Sequence, residues 1–400
     1  MNFPRILKKR KGYIDRIKPF MQKSVVKVLT GQRRVGKSFL LYQLIEEILA
    51  KEPDANIIYV NLEDFTFSSL QTAEDLHSYI ISHSKEKAKN YIFIDEIQDI
   101  PGFEKVIRSL LLNEDNDIYI TGSNAKMLSG ELATYLSGRY IEFKIYSLSY
   151  SEFLEFHGLT ESETSYELYS RYGGLPYLLN LPLEDETVNE YLKSVYSTIV
   201  FRDVVSRYKL RNTLFLEKLI QFLSENIGNL FSAKNISDYL KSQHTTISVN
   251  QIQSYTEYLN NAFLIHRVER YDLIGKRVFE IGEKYYFENM GIRNIVIGYR
   301  ITDKAKILEN LVYNHLLYKG YDIKVGYYGD KEIDFIGEKN GEKLYIQVAL
   351  KIDGDTAERE FGNLLKIQDN YPKIVVTEDT FSGNSYEGIR HCPIRQFLME

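Results

Sequence analysis

Short runs of apolar residues alternate with amphipathic stretches along the first 150 residues of the chain. Runs of five or six residues that fit buried strands are Ser24–Leu29, Asn56–Asn61, Tyr91–Asp95 and Asp117–Thr121. Stretches with apolar residues at helical spacing follow the first two of these runs, at Phe39–Ile45 and Thr72–Ser82. Because strands that alternate with helices build parallel sheets covered by helices, this pattern predicts an α/β fold.

From Ser149 to about Tyr208 the pattern is helical throughout. The segment Tyr172–Pro176 (YGGLP) divides it, since two glycines ahead of a proline end one helix and precede the next. We therefore expect a small helical domain at 149–208, after a first domain at 1–148 that contains the alternating pattern.

Residues 209–298 show a third pattern. Leu216–Leu223 has helical spacing, and Ser232 and Ser248 are placed to cap a second and a third helix. Two runs with strand character follow, Phe263–Val268 and Arg277–Ile281. Three helices followed by a β-hairpin predict a winged-helix domain.

The last hundred residues combine a helix with several strands. A helix that contains Glu309 precedes three runs with strand character, which are Tyr321–Val325, Glu332–Ile336 and Lys343–Val348. A helix, a hairpin that carries an acidic residue and a further strand are similar to the restriction-endonuclease-like fold. We expect such a domain at 299–400.

Composition excludes several classes of protein. The 400 residues include one cysteine, Cys392, so neither an internal disulfide nor a zinc site built from several cysteines is available. No apolar run approaches ~18 residues, and no signal-peptide stretch follows the basic residues near the N-terminus. We expect a cytoplasmic protein with no membrane partner, in which Cys392 is a small packed residue.

The loop after the first predicted strand carries the most specific chemistry. Gly31–Ser38 reads GQRRVGKS, the phosphate-loop pattern of Gly, four residues and Gly-Lys-Ser between a strand and a helix. Its glycines let backbone amides surround phosphates, Lys37 reaches the outer phosphates, and the Ser38 hydroxyl ligates magnesium. The residues that we expect to contact the nucleotide are Gly31, Gln32, Arg33, Arg34, Val35, Gly36, Lys37, Ser38 and Phe39.

The third and fourth predicted strands end in further candidate residues. Asp95 and Glu96 close the third strand as in a Walker B motif, where Asp95 would hold magnesium directly or through water and Glu96 would polarise the attacking water. Asn124 follows the fourth strand and is a candidate sensor of the γ-phosphate. An asparagine is also an ordinary turn residue, so both interpretations of Asn124 stay open.

An arginine near a predicted helix end is a further candidate. Leu136–Arg139 reads LSGR, which places Arg139 where it would complete the nucleotide site of a neighbouring copy in a homo-oligomer. An arginine finger of this kind contributes about 10³ to 10⁵ in rate. A surface salt bridge is an equally good use of Arg139, and the sequence favours neither.

These motifs together resemble a known family, the AAA-type ATPases of bacteria and archaea that carry a C-terminal domain of unknown function. The segments that carry the resemblance are Gly31–Ser38, Ile94–Gln98, Thr121–Asn124, Leu136–Arg139, Leu148–Leu154, Tyr172–Pro176 and Phe201–Val204. The similarity continues into the C-terminal third and so covers nearly the whole chain.

The resemblance implies an ATPase whose cofactors are ATP and Mg²⁺. Lys37, Ser38 and Asp95 would contact them, Glu96 would be the catalytic base, and 149–208 would form a helical lid behind the AAA core. GTPase and small-molecule kinase interpretations are weaker. No Asn-Lys-x-Asp guanine signature follows the phosphate loop, and the paired carboxylates favour water as the phosphoryl acceptor.

The charge of the chain is uneven. Residues 1–50 contain 12 basic and 3 acidic side chains and so carry +9, whereas the whole chain carries −5. Arg33, Arg34 and Lys37 belong to the phosphate loop. The remaining cluster, Lys8–Lys11, is a candidate contact for a polyanion, although lysines on a solvated surface explain it equally well.

The predicted winged helix offers a surface for DNA or another nucleic acid. Its third helix would present Ser248, Asn250, Gln251 and Ser254 to the major groove, and Lys276–Arg277 on the wing would meet phosphate. Residues 206–296 hold 12 basic and 9 acidic side chains. Because a balance of +3 is small, a protein-binding platform is an open alternative.

The predicted nuclease-like domain departs from an active site. A nuclease of this fold needs acidic magnesium ligands and a lysine, with Asp on one strand and Glu-x-Lys on the next. Asp334 and the helical Glu309 fit, but Gln347 stands in place of the Glu and Ala349 in place of the Lys. Lys351 lies two residues later on the same strand face and is a candidate replacement. We expect a degenerate nuclease-like site made of Glu309, Asp334 and Gln347 and retained for binding.

We therefore interpret the chain as an ATP-hydrolysing AAA-type protein that couples nucleotide state to a winged-helix and nuclease-like module acting on nucleic acid. The alternative is a nucleotide-gated regulatory or scaffolding protein with a protein partner and slow hydrolysis. An ATP-dependent nuclease ranks below both, because it depends on the altered C-terminal motif.

Overall fold

The chain folds as two units, each of which combines helices with a β-sheet. The computed structural model describes residues 8–128, 136, 138–275, 282–329, 331–352, 354–378 and 385–400. The first unit comprises Met1–Tyr146 with Asn261–Phe263, and the second comprises Ser147–Asn260 with Leu264–Glu400. The predicted domain divisions after residues 208 and 298 both fall inside the second unit.

Strands and helices alternate along the first unit, as the sequence pattern predicts. The strands are β1 (Val26–Thr30), β2 (Asn56–Asn61), β3 (Asn90–Asp95), β4 (Asn116–Gly122) and β5 (Tyr140–Lys144). The helices are α1 (Lys11–Ile17), α2 (Lys37–Leu49), α3 (Ala73–His83) and α4 (Phe103–Leu110), and short 3-10 turns lie at Lys18–Phe20, Phe65–Phe67, Ile97–Asp99 and Ala125–Leu128. The four predicted strands correspond to β1–β4, whereas β5 has no counterpart in the prediction.

The strands of the first unit form one parallel sheet in the order β2-β3-β4-β1-β5. All residues of β1, β3 and β4 are buried, which requires that both faces of the sheet are covered. The predicted α/β class is therefore confirmed for this unit. Since parallel strands end at a common edge, the segments that follow β1, β3 and β4 meet there.

The two faces of the central strands differ in chemistry. One face is apolar and packs on α3 and α4 through alternate strand residues such as Ile92 and Ile94. The other face contains a fully buried ion pair between Lys27 and Asp117. The hydroxyl of Tyr119 donates to Asp117 at 2.7 Å, so the buried carboxylate has a second partner.

The second unit begins with helices, as predicted for its first part. They are α5 (Tyr150–His157), α6 (Glu163–Tyr172), α7 (Asp185–Thr198), α8 (Thr213–Glu225), α9 (Ala233–Ser242), α10 (Val249–Asn261), α11 (Met290–Ile297), α12 (Lys304–Tyr318), α13 (Gly354–Leu365) and α14 (Ile394–Phe397). A π-helical segment, Ile199–Ser206, continues α7, and 3-10 turns lie at Pro176–Asn180 and Ile301–Asp303. The side chain of Ser232 caps α9, and that of Ser248 accepts a hydrogen bond from the first turn of α10, as the sequence predicts.

Strands of the second unit form a mixed sheet in the order β12-β13-β11-β10-β9-β8-β6-β7. Their bounds are β6 (Ile265–Asp272), β7 (Glu283–Phe287), β8 (Asp322–Tyr328), β9 (Lys331–Lys339), β10 (Glu342–Ala349), β11 (Lys373–Thr377), β12 (Ser385–Tyr386) and β13 (Ile389–Pro393). β6 pairs antiparallel with β7 and parallel with β8. One sheet therefore contains strands from both sides of residue 298.

The described hairpin partner of β6 is a segment that the sequence pattern does not predict as a strand, Glu283–Phe287. The predicted second strand, Arg277–Ile281, lies outside the described residues. β7 begins with two charged residues, Glu283 and Lys284, which are unusual in a buried strand, so the sequence does not indicate a strand there. Four of its five residues are nevertheless buried. The predicted wing residues Lys276 and Arg277 lie outside the described residues.

Two predictions from composition can be compared with the structure. Cys392 is buried in β13, where burial raises the pKa of its thiol to about 11, so it is the packed residue that we expect. None of the described helices is long and apolar enough to span a membrane.

Candidate functional site

The loop between β1 and α2 has the geometry of a phosphate-binding loop. Gly31 has φ +151°, and a Cβ atom there would lie 2.1 Å from the carbonyl oxygen of Ile145, so a side chain has no room. Gly36 has φ +94° immediately before α2 begins at Lys37. No side chain caps this helix, so the amides of its first turn are available to an anion.

Lys37 holds the loop in its present shape. Its side chain is 4% exposed, and Nζ donates to the carbonyl oxygens of Gly31 at 3.0 Å and Gln32 at 3.1 Å. Nζ also lies 3.7 Å from Oε1 of Glu96. The structure thus brings together the lysine and the carboxylate that the sequence predicts to act on the same nucleotide.

Asp95 ends β3 next to the start of α2. It is buried and accepts hydrogen bonds from the hydroxyls of Thr121 and Ser38. Burial raises the pKa of Asp95 above its ordinary value, while these two hydroxyls oppose the shift. Because Ser38 and Asp95 offer adjacent oxygen atoms of the kind that Mg²⁺ prefers, the predicted pair fits that ion.

Glu96 follows Asp95 in a left-handed backbone conformation with φ 57°. Its N–H donates to Oγ1 of Thr121 at 2.9 Å, and Nε2 of Gln98 donates to its carboxylate. Burial alone would raise the pKa of Glu96, but Lys37 and Arg33 nearby hold it below its ordinary value. The carboxylate is therefore ionised at neutral pH, as a base must be.

Two arginines of the loop have different environments. Arg33 is 6% exposed and pairs with Glu63, with Nη1 2.8 Å from Oε1. Arg34 is exposed and has φ 70°, a conformation that costs a non-glycine residue about 1 kcal/mol or more. Strain of this kind concentrates at functional loops, which is consistent with the place of Arg34 in the phosphate loop.

The remaining predicted contact residues of the loop and of α2 differ in their exposure. Val35 is fully buried, whereas Phe39 on α2 is 46% exposed. Gln32 is fully buried and donates from Nε2 to the carbonyl oxygen of Phe263 at 2.9 Å. The side chain of Gln32 therefore ties the loop to segment 261–263.

Asn124 lies at the same edge of the sheet, after β4. It is 2% exposed, and its Oδ1 accepts a hydrogen bond from the N–H of Lys126 at 2.8 Å. Asn124 thus acts as a turn residue here, which is one of its two predicted roles. The preceding Ser123 is fully buried and close enough to Glu96 to help lower the pKa of that carboxyl.

The structure does not bring Arg139 to the nucleotide site of its own chain. Arg139 immediately precedes β5, and its carbonyl oxygen accepts from the N–H of Val26 at the start of β1. The phosphate loop follows the end of β1, and the two strands are parallel. Arg139 and the loop therefore lie at opposite edges of the sheet, separated by about 15 Å of strand.

Arg10 is a supporting residue that sequence reasoning misses. It is 3% exposed, and Nη1 donates to the carbonyl oxygens of Val35 at 3.2 Å and Tyr146 at 2.8 Å. Its backbone N–H donates to Oε1 of Gln43 on α2 at 3.0 Å. Within the predicted polyanion cluster Lys8–Lys11, the arginine is buried behind the phosphate loop, whereas Lys9, which pairs with Glu47, and Lys11 are exposed.

The predicted nuclease-like residues lie together in the second unit. Glu309 is on α12, Asp334 on β9 and Gln347 on β10. Lys351, the candidate replacement lysine, is exposed beyond the end of β10. A different lysine, Lys284 on β7, contacts Glu309 at 3.2 Å, and sequence reasoning gave no signal for it.

Two family models match the chain. An AAA domain matches residues 23–154, and a domain of unknown function (DUF8612) matches residues 163–303. The first match contains the phosphate loop and the strand that ends in Asp95 and Glu96. The second spans the helical region and the β6–β7 hairpin.

Similar proteins occur in bacteria and archaea. An uncharacterized protein of Haemophilus influenzae is 38% identical over 403 residues, which cover 98% of this chain and 98% of the relative. The uncharacterized protein MJ1544 of Methanocaldococcus jannaschii is 31% identical over 352 residues, which cover 84% of this chain and 77% of the relative.

Solved structures that are similar to this chain include the Aeropyrum pernix Orc1 protein in complex with DNA. It is 12% identical with a TM-score of 0.34, over 73% of this chain and 93% of that one. DnaA from Aquifex aeolicus bound to AMPPCP is 14% identical with a TM-score of 0.31, over 65% of this chain and 90% of that one.

The AAA-type part of the predicted family is confirmed. The AAA domain match covers the phosphate loop and the carboxylate strand, and the Haemophilus influenzae relative matches this chain over nearly its whole length. The chain therefore belongs to one family with these bacterial and archaeal relatives, and its residues 23–154 match an AAA domain.

Proposed function

We propose that this protein binds ATP with Mg²⁺, hydrolyses it, and uses the change of nucleotide state to move its second unit on nucleic acid. One observation carries the proposal. Lys37, Ser38, Asp95 and Glu96 converge at the carboxyl edge of the parallel sheet, beside an uncapped helix N-terminus. This arrangement provides anion binding, oxygen ligands for a metal and an ionised base at one place.

The chemistry follows from the contacts of these residues. Lys37 donates hydrogen bonds to two neutral carbonyl groups. Because phosphate oxygens bind an ammonium group more strongly than carbonyl oxygens do, Lys37 leaves the carbonyl groups when a phosphate binds. Ser38 and Asp95 hold Mg²⁺, which neutralises charge on the phosphates when it is bound. Glu96 stays ionised, is oriented by Gln98, and accepts the proton of the attacking water.

We extend the proposal to the second unit. Helices α5–α7 form a lid, α8–α10 with β6 and β7 form a winged helix, and α12 with β8–β10 forms a degenerate nuclease-like domain. The exposure of Ser248 and Asn250 and the partial exposure of Gln251 and Ser254 support a recognition role for α10.

A protein partner is the second candidate function, and the composition of α10 favours it. The helix reads VNQIQSYTEYLNN and contains no lysine or arginine. Its one charged residue, Glu257, is exposed. A surface without positive charge gains little from the phosphate backbone that dominates affinity for nucleic acid.

Replacing Glu96 by Gln tests the hydrolysis site. We expect kcat to fall about 10²- to 10⁴-fold while ATP binding is retained, because the amide keeps the shape of the base but does not accept the proton. Phosphate release and ATP binding by calorimetry measure the two effects. Lys37→Ala should instead lose ATP binding, and Glu114→Gln, at an exposed carboxylate, is the matched control. Normal hydrolysis in both Glu96→Gln and Lys37→Ala would refute the site.

Replacing Arg10 by Gln tests whether the phosphate loop depends on its support. We expect KM for ATP to rise about tenfold with little change in kcat, since Arg10 contacts the loop backbone and not the reacting atoms. Arg10→Lys should recover part of the loss, because a lysine replaces one of the two carbonyl contacts. Lys11→Gln, at an exposed neighbouring residue, should have no effect. An unchanged KM in Arg10→Gln would show that the loop keeps its shape without this support.

Because Arg139 lies far from the phosphate loop of its own chain, we extend the proposal to a role of this residue between copies of the chain. We expect Arg139→Ala to lower kcat about 10³-fold or more. Mixing the Arg139→Ala and Lys37→Ala proteins should restore activity. In a mixed assembly the Lys37→Ala chain supplies Arg139 to the neighbouring Arg139→Ala chain, whose own nucleotide site is intact. Arg108→Ala, at an exposed arginine of α4, is the control. Full activity of Arg139→Ala alone would assign this residue to a surface salt bridge.

Phosphate release measured with DNA and with RNA separates the two candidate functions. A nucleic-acid partner predicts stimulation at low salt that weakens at high salt. Asn250→Ala should then weaken nucleic-acid binding by about 1 to 3 kcal/mol, whereas Gln221→Ala on α8 should not. If neither nucleic acid changes the rate at low salt, the protein-partner function is supported and the nucleic-acid function fails.

A further inference from the structure

The ammonium group of Lys284 lies among carboxylates inside the second unit. Lys284 is on β7, its side chain is 3% exposed, and Nζ is 3.2 Å from Oε1 of Glu309 and 2.7 Å from Oε1 of Glu332. Glu309 comes from α12 and Glu332 from β9. One cation therefore joins a strand, a helix and a second strand that are distant in sequence.

The surroundings of Glu309 are built to hold its carboxylate there. The hydroxyl of Tyr286, two residues after Lys284 and on the same face of β7, donates to Oε1 of Glu309 at 2.6 Å. Gly228 faces the same carboxylate, and a Cβ atom there would lie 2.8 Å from Oε1 of Glu309. The tyrosine fixes the carboxylate and the glycine leaves room for it.

Asp334 and Gln347 complete the cluster from neighbouring strands. Asp334 is 8% exposed and accepts a hydrogen bond from the N–H of Val348 at 2.7 Å. The antiparallel register of β9 and β10 pairs Phe335 with Ile346, so the next pair along is Asp334 with Gln347, on a common face. Gln347 is 8% exposed, and its Oε1 has no hydrogen-bond partner among the described residues.

The charges of this cluster explain why it needs a cation. Burial raises the pKa of Asp334 well above its ordinary value, and the charge of Glu309 adds to the shift. Burial would by itself lower the pKa of Lys284, but Glu309, Asp334 and Glu332 raise it above its ordinary value, so the lysine is charged. Without that positive charge, the buried Asp334 and the partly exposed Glu309 and Glu332 would face one another unpaired.

A divalent cation is the other way to neutralise such a cluster, and the placement of the side chains disfavours it. Nζ of Lys284 already occupies the point that Glu309 and Glu332 face. Within the described part of the chain, no group of three or more His, Cys, Asp or Glu side chains is arranged to hold a metal ion.

We propose that Lys284 supplies the positive charge of the nuclease-like site formed by Glu309, Asp334 and Gln347. The ion pairs of Lys284 attach β7 to α12 and β9 without a metal ion, and we call this set of contacts the lock. The strand that forms the proposed wing is then fixed to the C-terminal sheet by ion pairs as well as by backbone pairing. This role does not depend on nucleotide hydrolysis, and it gives the residues of the altered nuclease motif a use other than metal binding.

Binding of Mn²⁺ to the nucleotide-free full chain tests the cation assignment. The background variant Asp95→Asn removes the ligand at the nucleotide site, so that bound Mn²⁺ seen by electron paramagnetic resonance reports other sites. We expect no stoichiometric Mn²⁺ and no change in melting temperature on adding Mg²⁺. One Mn²⁺ per chain that is lost in Asp334→Asn would overturn the proposal.

A double-mutant cycle tests the lock. We expect Lys284→Met to lower the melting temperature of the second unit by roughly 10 °C, because it removes a buried cation and leaves the buried Asp334 beside the unpaired Glu309 and Glu332. Adding Glu309→Gln should restore part of the loss, so the double variant loses less than the sum of the single variants. Hydrogen exchange of the β7 and β9 amides assigns the transition to this unit.

Lys343→Met is the matched control for the cycle. Lys343 is on β10 of the same sheet and pairs with Glu338, but both side chains are partly exposed, so a shift of a few degrees at most is expected. An equal shift in Lys284→Met and Lys343→Met, or strict additivity with Glu309→Gln, would overturn the lock. If Lys284→Met does not fold, two measurements still decide the proposal. They are the Mn²⁺ measurement and the melting temperature of the single variant Glu309→Gln, which should also be lower than that of the unchanged protein.

Discussion

Burial of two adjacent carboxylates at the end of β3 is the constraint on which the first unit depends. Asp95 and Glu96 are 2% and 6% exposed, and buried charges are costly unless they are paired. Lys37 meets this requirement for Glu96 and also holds two carbonyl groups of the phosphate loop. The Lys37 ammonium group therefore supports both the shape of the loop and, together with Arg33, the ionised state of Glu96. In the proposed function the same ammonium group also meets a phosphate.

A buried lysine also organises the second unit, but its acceptors differ. The hydrogen-bond acceptors of Lys37 are neutral backbone carbonyls, and its carboxylate lies at 3.7 Å. Lys284 contacts two carboxylates at 3.2 and 2.7 Å. Because an ammonium group binds an anionic oxygen more strongly than a neutral carbonyl oxygen, an incoming anion would displace the contacts of Lys37 more readily than those of Lys284. In the two proposals the same type of side chain thus serves ligand exchange in one unit and attachment in the other.

Features that depend on local sequence were predictable. Strands β1–β4, the phosphate loop and the caps at Ser232 and Ser248 each rest on a few consecutive residues whose conformational preferences agree. Arg10 and Lys284 were not predictable, because the partners of each come from more than one element and lie 25 or more residues away in the sequence. A buried lysine looks like a surface lysine in a sequence, since only the packed fold reveals that carboxylates surround it. The pairing of β6 with β7 was missed for a related reason, because charged residues that are buried in pairs resemble a loop.

Arg139 shows how sheet topology separates residues that a linear motif groups together. Its motif, Leu136–Arg139, lies between β4 and β5 along the chain, and the parallel pairing of β1 with β5 places Arg139 at the edge where β1 begins. The phosphate loop lies where β1 ends. Rotation of the arginine side chain, which extends about 7 Å from its Cα, does not span the length of the strand. If Arg139 takes part in phosphoryl chemistry, a second copy must therefore supply it, which makes assembly of the chain a condition of that role.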